Sequence, residues 1–246
     1  MNATEDNVWS RGFRDLGSLL PRPRAILAVS AHWYIRGTAV TGNDFPPTIH
    51  DFGGFPEELY EIQYLARGDP GLAKRVVDLL GADAASNRLD WGLDHGTWSV
   101  LHHVWPKADV PVVQLSIDRS ADAARHVEIG RALTPLRDEG VLILGSGNIV
   151  HNLGDAIARM RSGVLETPAW ATAFDDAVVK ALEKHDTTGL GRLVESPEGR
   201  KAHPTPDHFL PLLYAAGAAG DDPVSFPIAG FDLGSLSMRS VIFGSA

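Results

Sequence analysis

Continuous apolar runs alternate along the chain with stretches whose apolar residues recur at helical spacing. Residues 25–30 (AILAVS), 110–117 (VPVVQLSI) and 141–144 (VLIL) are short and predominantly apolar, the pattern of strands buried on both faces. Between them, Leu72, Val76, Leu79 and Leu80 mark one helix face over 71–80. Trp98, Leu101, His102 and Trp105 mark a second, ended by Pro106. Ser120 is the expected cap of a third, with Val127, Leu133 and Leu136 inward and Pro135 kinking or ending it. Trp170, Phe174, Val178 and Leu182 line a fourth. Thr205-Pro206-Asp207 has the chemistry of a helix start, and residues 236–243 have that of a last strand. Strands interleaved with helices predict an α/β fold: a single domain over 1–246, with a central, mostly parallel or mixed sheet and helices on both faces. Residues 43–70 have little periodicity, a Gly-Gly pair and four prolines, as binding loops often do.

Composition narrows the function. The formal charge of −9 argues against nucleic acid and anionic membranes as partners. The absence of cysteine removes disulfides, thiolate metal sites, iron–sulfur clusters and thiol nucleophiles together. The first twenty residues are too polar for a signal peptide and no run is long enough to span a membrane, so a cytoplasmic location is expected. With ten histidines and no cysteine, any metal must be held by imidazole and carboxylate.

Four histidines sit at expected element junctions, where binding groups concentrate. His32 follows the first apolar strand, and His151 closes the segment after the third. His95 precedes the Trp98 helix, and His208 lies in the first turn after Thr205-Pro206. In open α/β sheets, ligands sit beyond the carboxyl ends of strands, so distant histidines can converge there. His102 is expected in or near the core, while His103, His126 and His185 look like exposed helix positions. His50 lies in a Gly-Gly loop that suits either a lid or a packed connection. Gly145-Ser146-Gly147 lacks the Gly-x-Ser-x-Gly pattern of a nucleophile elbow. Phosphate-loop and His-Glu-x-x-His patterns are absent as well. The residues alone thus indicate an α/β protein with a candidate histidine metal site.

Seven segments taken in order go further: SAHWY at 30–34, TIHDFGGFP at 48–56, DHGTW at 94–98, VPVVQLSID at 110–118, GSGNIVHNL at 145–153, HPTPDHFLPLLYAAGA at 203–218 and GSLSMRS at 234–240. Together they resemble the DOPA-dioxygenase group of class III extradiol ring-cleaving dioxygenases over nearly the whole chain. The resemblance implies one divalent metal, ferrous iron for activity or zinc as bound, held by His32, His151 and His208. It implies His151 and His95 as catalytic groups and, more remotely, His50 as a substrate contact. Substrates would be a small aromatic diol of the catechol type and O2. The family opens with a strand running into Gly-His-Gly-Ser-Pro, and this sequence begins at Met1-Asn2-Ala3, where the residues following that motif would stand. The first strand and first ligand of the family are therefore expected upstream of a start codon set too late, the alternative being a trimmed chain. Two other readings remain from the residues: a non-catalytic homologue that binds metal or a partner, and a zinc hydrolase indifferent to dioxygen.

Overall fold

The structure, a computed structural model, describes residues 3–244. Two compact units make up the chain. The first takes in Ala132–Ser146 and the described residues up to Ser120; the second takes in Ala121–Arg131 and the described residues from Gly147 onward.

The first unit is built on five strands: β1 (Ala25–Ile35), β2 (Thr38–Thr41), β3 (Ala85–Arg88), β4 (Val112–Asp118) and β5 (Val141–Ser146). Their order is β3-β2-β4-β1-β5. β1 runs parallel to β4 and β5, β2 runs parallel to β3, and β2 meets β4 antiparallel, so the sheet is mixed. β1 and β4 are inner strands with largely apolar runs, and residues Ala25 to Val29 are fully buried. The unit's helices are α1 (Val8–Leu19), α2 (Glu58–Glu61), α3 (Pro70–Leu80), α4 (His95–Val104) and α6 (Pro135–Asp138). Asn7 caps α1 by accepting from the backbone N–H of Trp9 and Ser10, and Ser10 answers it in a capping box. Asp69 caps α3, with Pro70 in its first turn, and Asp94 caps α4. The fold is thus the expected α/β class with a central mixed sheet flanked by helices.

The second unit is helical. It holds α5 (Ala123–Ala132, all but its last residue), α7 (Leu153–Ser162), α8 (Ala169–Glu183), α9 (Thr187–Glu195), α10 (Pro197–Ala202) and α11 (Leu210–Ala219). A 3-10 turn, Pro206–His208, leads into α11. α11 is apolar around its circumference and correspondingly buried on nearly every side. Two ribbons complete the unit: β6 (Val224–Ser225) with β9 (Ile242–Phe243), and β7 (Phe231–Asp232) with β8 (Leu236–Ser237).

Several local expectations are corrected. Ser120 does not cap α5; its hydroxyl donates to Asp118, and Asp122 accepts from the Arg125 N–H instead. Pro135 begins the short α6 rather than ending the preceding helix, because its missing N–H costs nothing in a first turn. Residues 236–243 are not one strand. They divide between two ribbons, since Arg239, midway, turns its guanidinium onto Asp175. His126 is not exposed but fully buried, its Nδ1 2.9 Å from the Tyr214 hydroxyl. His103 is half-buried beside Phe13, and His185, though exposed, lies just past the end of α8 at φ 54°. Among the described residues, no helix is long and apolar enough to cross a membrane.

Candidate functional site

In the first unit the site begins with an irregularity in β1. Ile26 to Val29 pair in register with Val112 to Leu115, but the next pairing, Tyr34 with Ile117, comes after five residues on β1 and only two on β4. Pairing with β5 ends at Ser30. Residues 31–33 therefore bulge from the ladder, and a bulge of this kind re-aims a side chain. His32 lies on it, inside the strand rather than after it as the sequence suggested.

Opposite His32, the long 43–69 loop is tied to the approach to α4. Thr48 bridges Leu93, the Ile49 N–H donates to the Leu93 carbonyl, and the Leu93 N–H donates to the Pro47 carbonyl. The Trp98 indole N–H fixes the same stretch through the Ile49 carbonyl at 2.9 Å. Two residues further along each segment, Asp51 meets His95. Asp51 Oδ1 accepts from the His95 backbone N–H and lies 2.9 Å from His95 Nδ1. Asp51 Oδ2 is 3.3 Å from His32 Nδ1. The two imidazoles are 3.8 Å apart between ring centroids. Although the Asp51 backbone is exposed, its carboxylate is turned inward, with the side chain 18% accessible. Burial pushes its pKa up, but the His95 hydrogen bonds and the charges of His95 and His32 outweigh this and hold it below the ordinary carboxylate value. His32, Asp51 and His95 offer ligand atoms that all lie within 4.8 Å of one another. Two nitrogens and an oxygen in that space are a donor set suited to ferrous iron or zinc.

A buried polar network supports the bulge. Asp94 is fully buried, accepts from the Ser30 hydroxyl at 2.7 Å and from the Thr97 N–H, and is bonded by the Gln114 amide. Ser30 Oγ accepts in turn from the His32 N–H. Burial, reinforced by the charge of Asp51, raises the Asp94 pKa to about 6 against the pull of its hydrogen bonds. His50 is half-buried, with Nε2 3.0 Å from the Ile62 carbonyl, and forms an aromatic group with Phe52, Tyr60 and Trp98. Phe52 sets its edge against His95.

In the second unit, His151 and His208 come together. Their rings are parallel to within 2°, with centroids 3.6 Å apart. His151 is anchored by its N–H to the Ala202 carbonyl and by a bridge to Leu236. The Asn148 N–H donates to the His208 carbonyl. His208 Nδ1 is 2.6 Å from Asp207 Oδ2. The hydrogen bonds of Asp207, chiefly with His208, outweigh its burial and lower its pKa to about 2. His203, also buried, binds the Ile149 carbonyl through Nε2 at 2.8 Å, and burial lowers its pKa to about 4.

The sequence picked out the four junction histidines but not their carboxylates. Asp207 adjoins His208, and Asp51 follows His50 in a glycine- and proline-rich loop, so proximity to histidine was the available signal. The pairing of Asp51 with His95, 44 residues away, had none.

Comparison with known proteins accords with this chemistry. Residues 8–243 match the family model described as the catalytic LigB subunit of aromatic ring-opening dioxygenase. The chain is 47% identical to a protein of Escherichia coli K12 named 4,5-DOPA dioxygenase extradiol, over 99% of this chain and 91% of that one. It is 42% identical to a protein of the same name from Beta vulgaris, over 82% of this chain and 75% of that one. A crystal structure of an uncharacterized Escherichia coli K12 protein superposes with a TM-score of 0.80 at 41% identity, covering 96% of this chain and 93% of the other. The chain belongs to the LigB family of aromatic ring-opening dioxygenases, the class III extradiol group that its motifs resemble.

Proposed function

We propose that this chain is a cytoplasmic extradiol dioxygenase that opens the ring of a catechol-type, DOPA-like substrate with O2 and depends on one divalent metal. Family membership supports the reaction class. The observation that carries the metal reading is the pair of imidazoles, His32 and His95, gathered on the Asp51 carboxylate. His32, His151 and His208 are the proposed ligands, with iron(II) for activity and zinc as a binding substitute. Bound there, ferrous iron would supply the electronic link between an electron-rich diol and dioxygen.

The remaining roles belong to the chain. Imidazole is the side chain whose ordinary titration range brackets neutral pH, which suits a group that accepts a catechol hydroxyl proton on a ring nitrogen. That role falls to His151. His95 is assigned to the space next to substrate and dioxygen, held there by Asp51. His50 and Phe52, both half-buried and backed by the fully buried Trp98, offer an aromatic wall on which a flat ring can stack. Such a wall also keeps water from the reacting carbons.

The test is iron-reconstituted protein mixed under air with a panel of catechols that includes DOPA. The expected result is oxygen uptake with a yellow ring-opened semialdehyde from at least one of them. Metal binding without oxygen uptake on any catechol would instead support a non-catalytic homologue, and amide or ester hydrolysis independent of oxygen a zinc hydrolase.

A further inference from the structure

Asp51 has a part of its own. Its Oδ1 is hydrogen-bonded to His95 Nδ1 at 2.9 Å, and its Oδ2 faces His32 Nδ1 at 3.3 Å, an ion-pair distance. Its Oδ1 is already engaged by the His95 backbone N–H at 2.9 Å. An oxygen accepting from a backbone N–H and an imidazole together is placed as an acceptor, so the geometry favours a carboxylate that orients histidines over one that ligates the metal. The Asp51 backbone is located by pairing around Leu93 and by the Trp98 indole, and its carboxylate by the His95 backbone N–H. The carboxylate is therefore anchored on backbone, independently of either ring.

We infer that Asp51 is a shared positioning residue, which fixes both His32 and His95 in the tautomer protonated at Nδ1 and so presents Nε2 of each as the lone-pair nitrogen. A hydrogen bond from Nδ1 to a carboxylate favours one rotational setting and one tautomer, and ligation through Nε2 then needs no prior proton shift; the His95 contact is already such a bond, and the His32 contact at 3.3 Å becomes one with a small turn of the ring. One acid thus serves a ligand and a catalytic group together, and links the metal side of the site to the substrate side. This rests on the metal reading above for what Nε2 of His32 does, but not for the tautomers themselves.

The tautomers are measured directly by long-range proton–nitrogen NMR on metal-free wild-type protein labelled at histidine nitrogen, above the imidazole titration range. The signals are assigned with His32→Gln and His95→Gln. Both rings are expected to show protonated Nδ1 and bare Nε2; a protonated Nε2 on either ring in wild type would overturn the inference without any Asp51 variant. In Asp51→Asn, whose amide can donate as well as accept, at least one ring should shift toward protonated Nε2. Zinc affinity, read by chelator competition, should weaken about ten- to hundred-fold, the range for losing a partner of a ligating histidine. Asp51→Glu should restore part of it. Unchanged tautomers with loss of zinc binding altogether would make Asp51 a ligand and reject the positioning role. Wild-type protein with the expected tautomers but no affinity for zinc or iron would support the role of Asp51 and overturn the metal reading instead.

Discussion

The imidazoles of His151 and His208 lie face to face, 3.6 Å between centroids and 2° from parallel. Contact this close fixes each ring relative to the other, and Asp207 holds His208 Nδ1 at 2.6 Å. Both sit at the ends of segments that hydrogen bond to each other through Asn148 and the His208 carbonyl. The arrangement is one of backbone pairing first and ring orientation second, as in the Asp51 cluster of the other unit.

Asp207→Asn keeps the shape of the side chain but removes the charge and offers an amide donor to Nδ1. Zinc affinity is expected to fall about ten- to hundred-fold, with the thermal midpoint little changed. Chelator competition and a melting curve separate the two effects; affinity equal to wild type would show that His208 needs no carboxylate.

His203 makes a prediction about stability and pH. Its Nε2 is hydrogen bonded to the Ile149 carbonyl and its Nδ1 is buried with no hydrogen-bond partner, so the cation would bury an unsatisfied N–H. The folded pKa is about 4, below the ordinary 6.5. A depressed pKa contributes stability that is present above 6.5 and is lost as pH falls through 6.5 toward 4, because the unfolded chain binds the proton first. The loss over that window is about 3 kcal/mol in order of magnitude. Urea unfolding of wild type and His203→Gln at several pH values should therefore give curves that converge as pH falls from 7 to 4. Parallel curves would mean that His203 is protonated in the folded protein.

Gly147 and Gly96 are among the glycines with no room for a methyl group. A Cβ on Gly147 would lie 2.1 Å from the His208 carbonyl oxygen, and one on Gly96 would lie 2.4 Å from Ser30 Oγ and 2.9 Å from His32 Cδ2. The first neighbour is backbone, so Gly147→Ala should cost about 1–3 kcal/mol of stability. The neighbours of Gly96 are the Ser30 hydroxyl, held in the buried Asp94 network, and the His32 ring, so Gly96→Ala should disturb His32 as well as cost stability. Melting curves and zinc titration on both variants check this; a Gly96→Ala protein with wild-type zinc affinity would contradict it.

Much of this was legible in the sequence. β1 and β4 showed as largely apolar runs because strands buried on both faces have no solvent side to alternate with. α3, α4 and α8 showed through their spacing. β2 and β3 did not, being four residues each and, for β3, largely exposed, with no apolar run to mark them. α1 was legible but unread: Trp9, Phe13, Leu16 and Leu20 recur at helical spacing among polar residues, behind the Asn7 capping box. His126 was misplaced because its burial depends on the Tyr214 hydroxyl, 88 residues away. The same limit applies at the site: histidines at junctions can be picked out one by one, whereas the Asp51 contact to two rings arises from the Thr48–Leu93 bridge and the bulge in β1, which no local pattern encodes.

The most direct test of the account is the fate of dioxygen. Iron-reconstituted protein turning over its catechol under isotopically labelled dioxygen should yield a ring-opened product whose new carboxylate carries the label, with oxygen uptake matching product formed. Product labelled from water alone, or oxygen consumed without ring opening, would contradict the assignment of this chain as an extradiol dioxygenase.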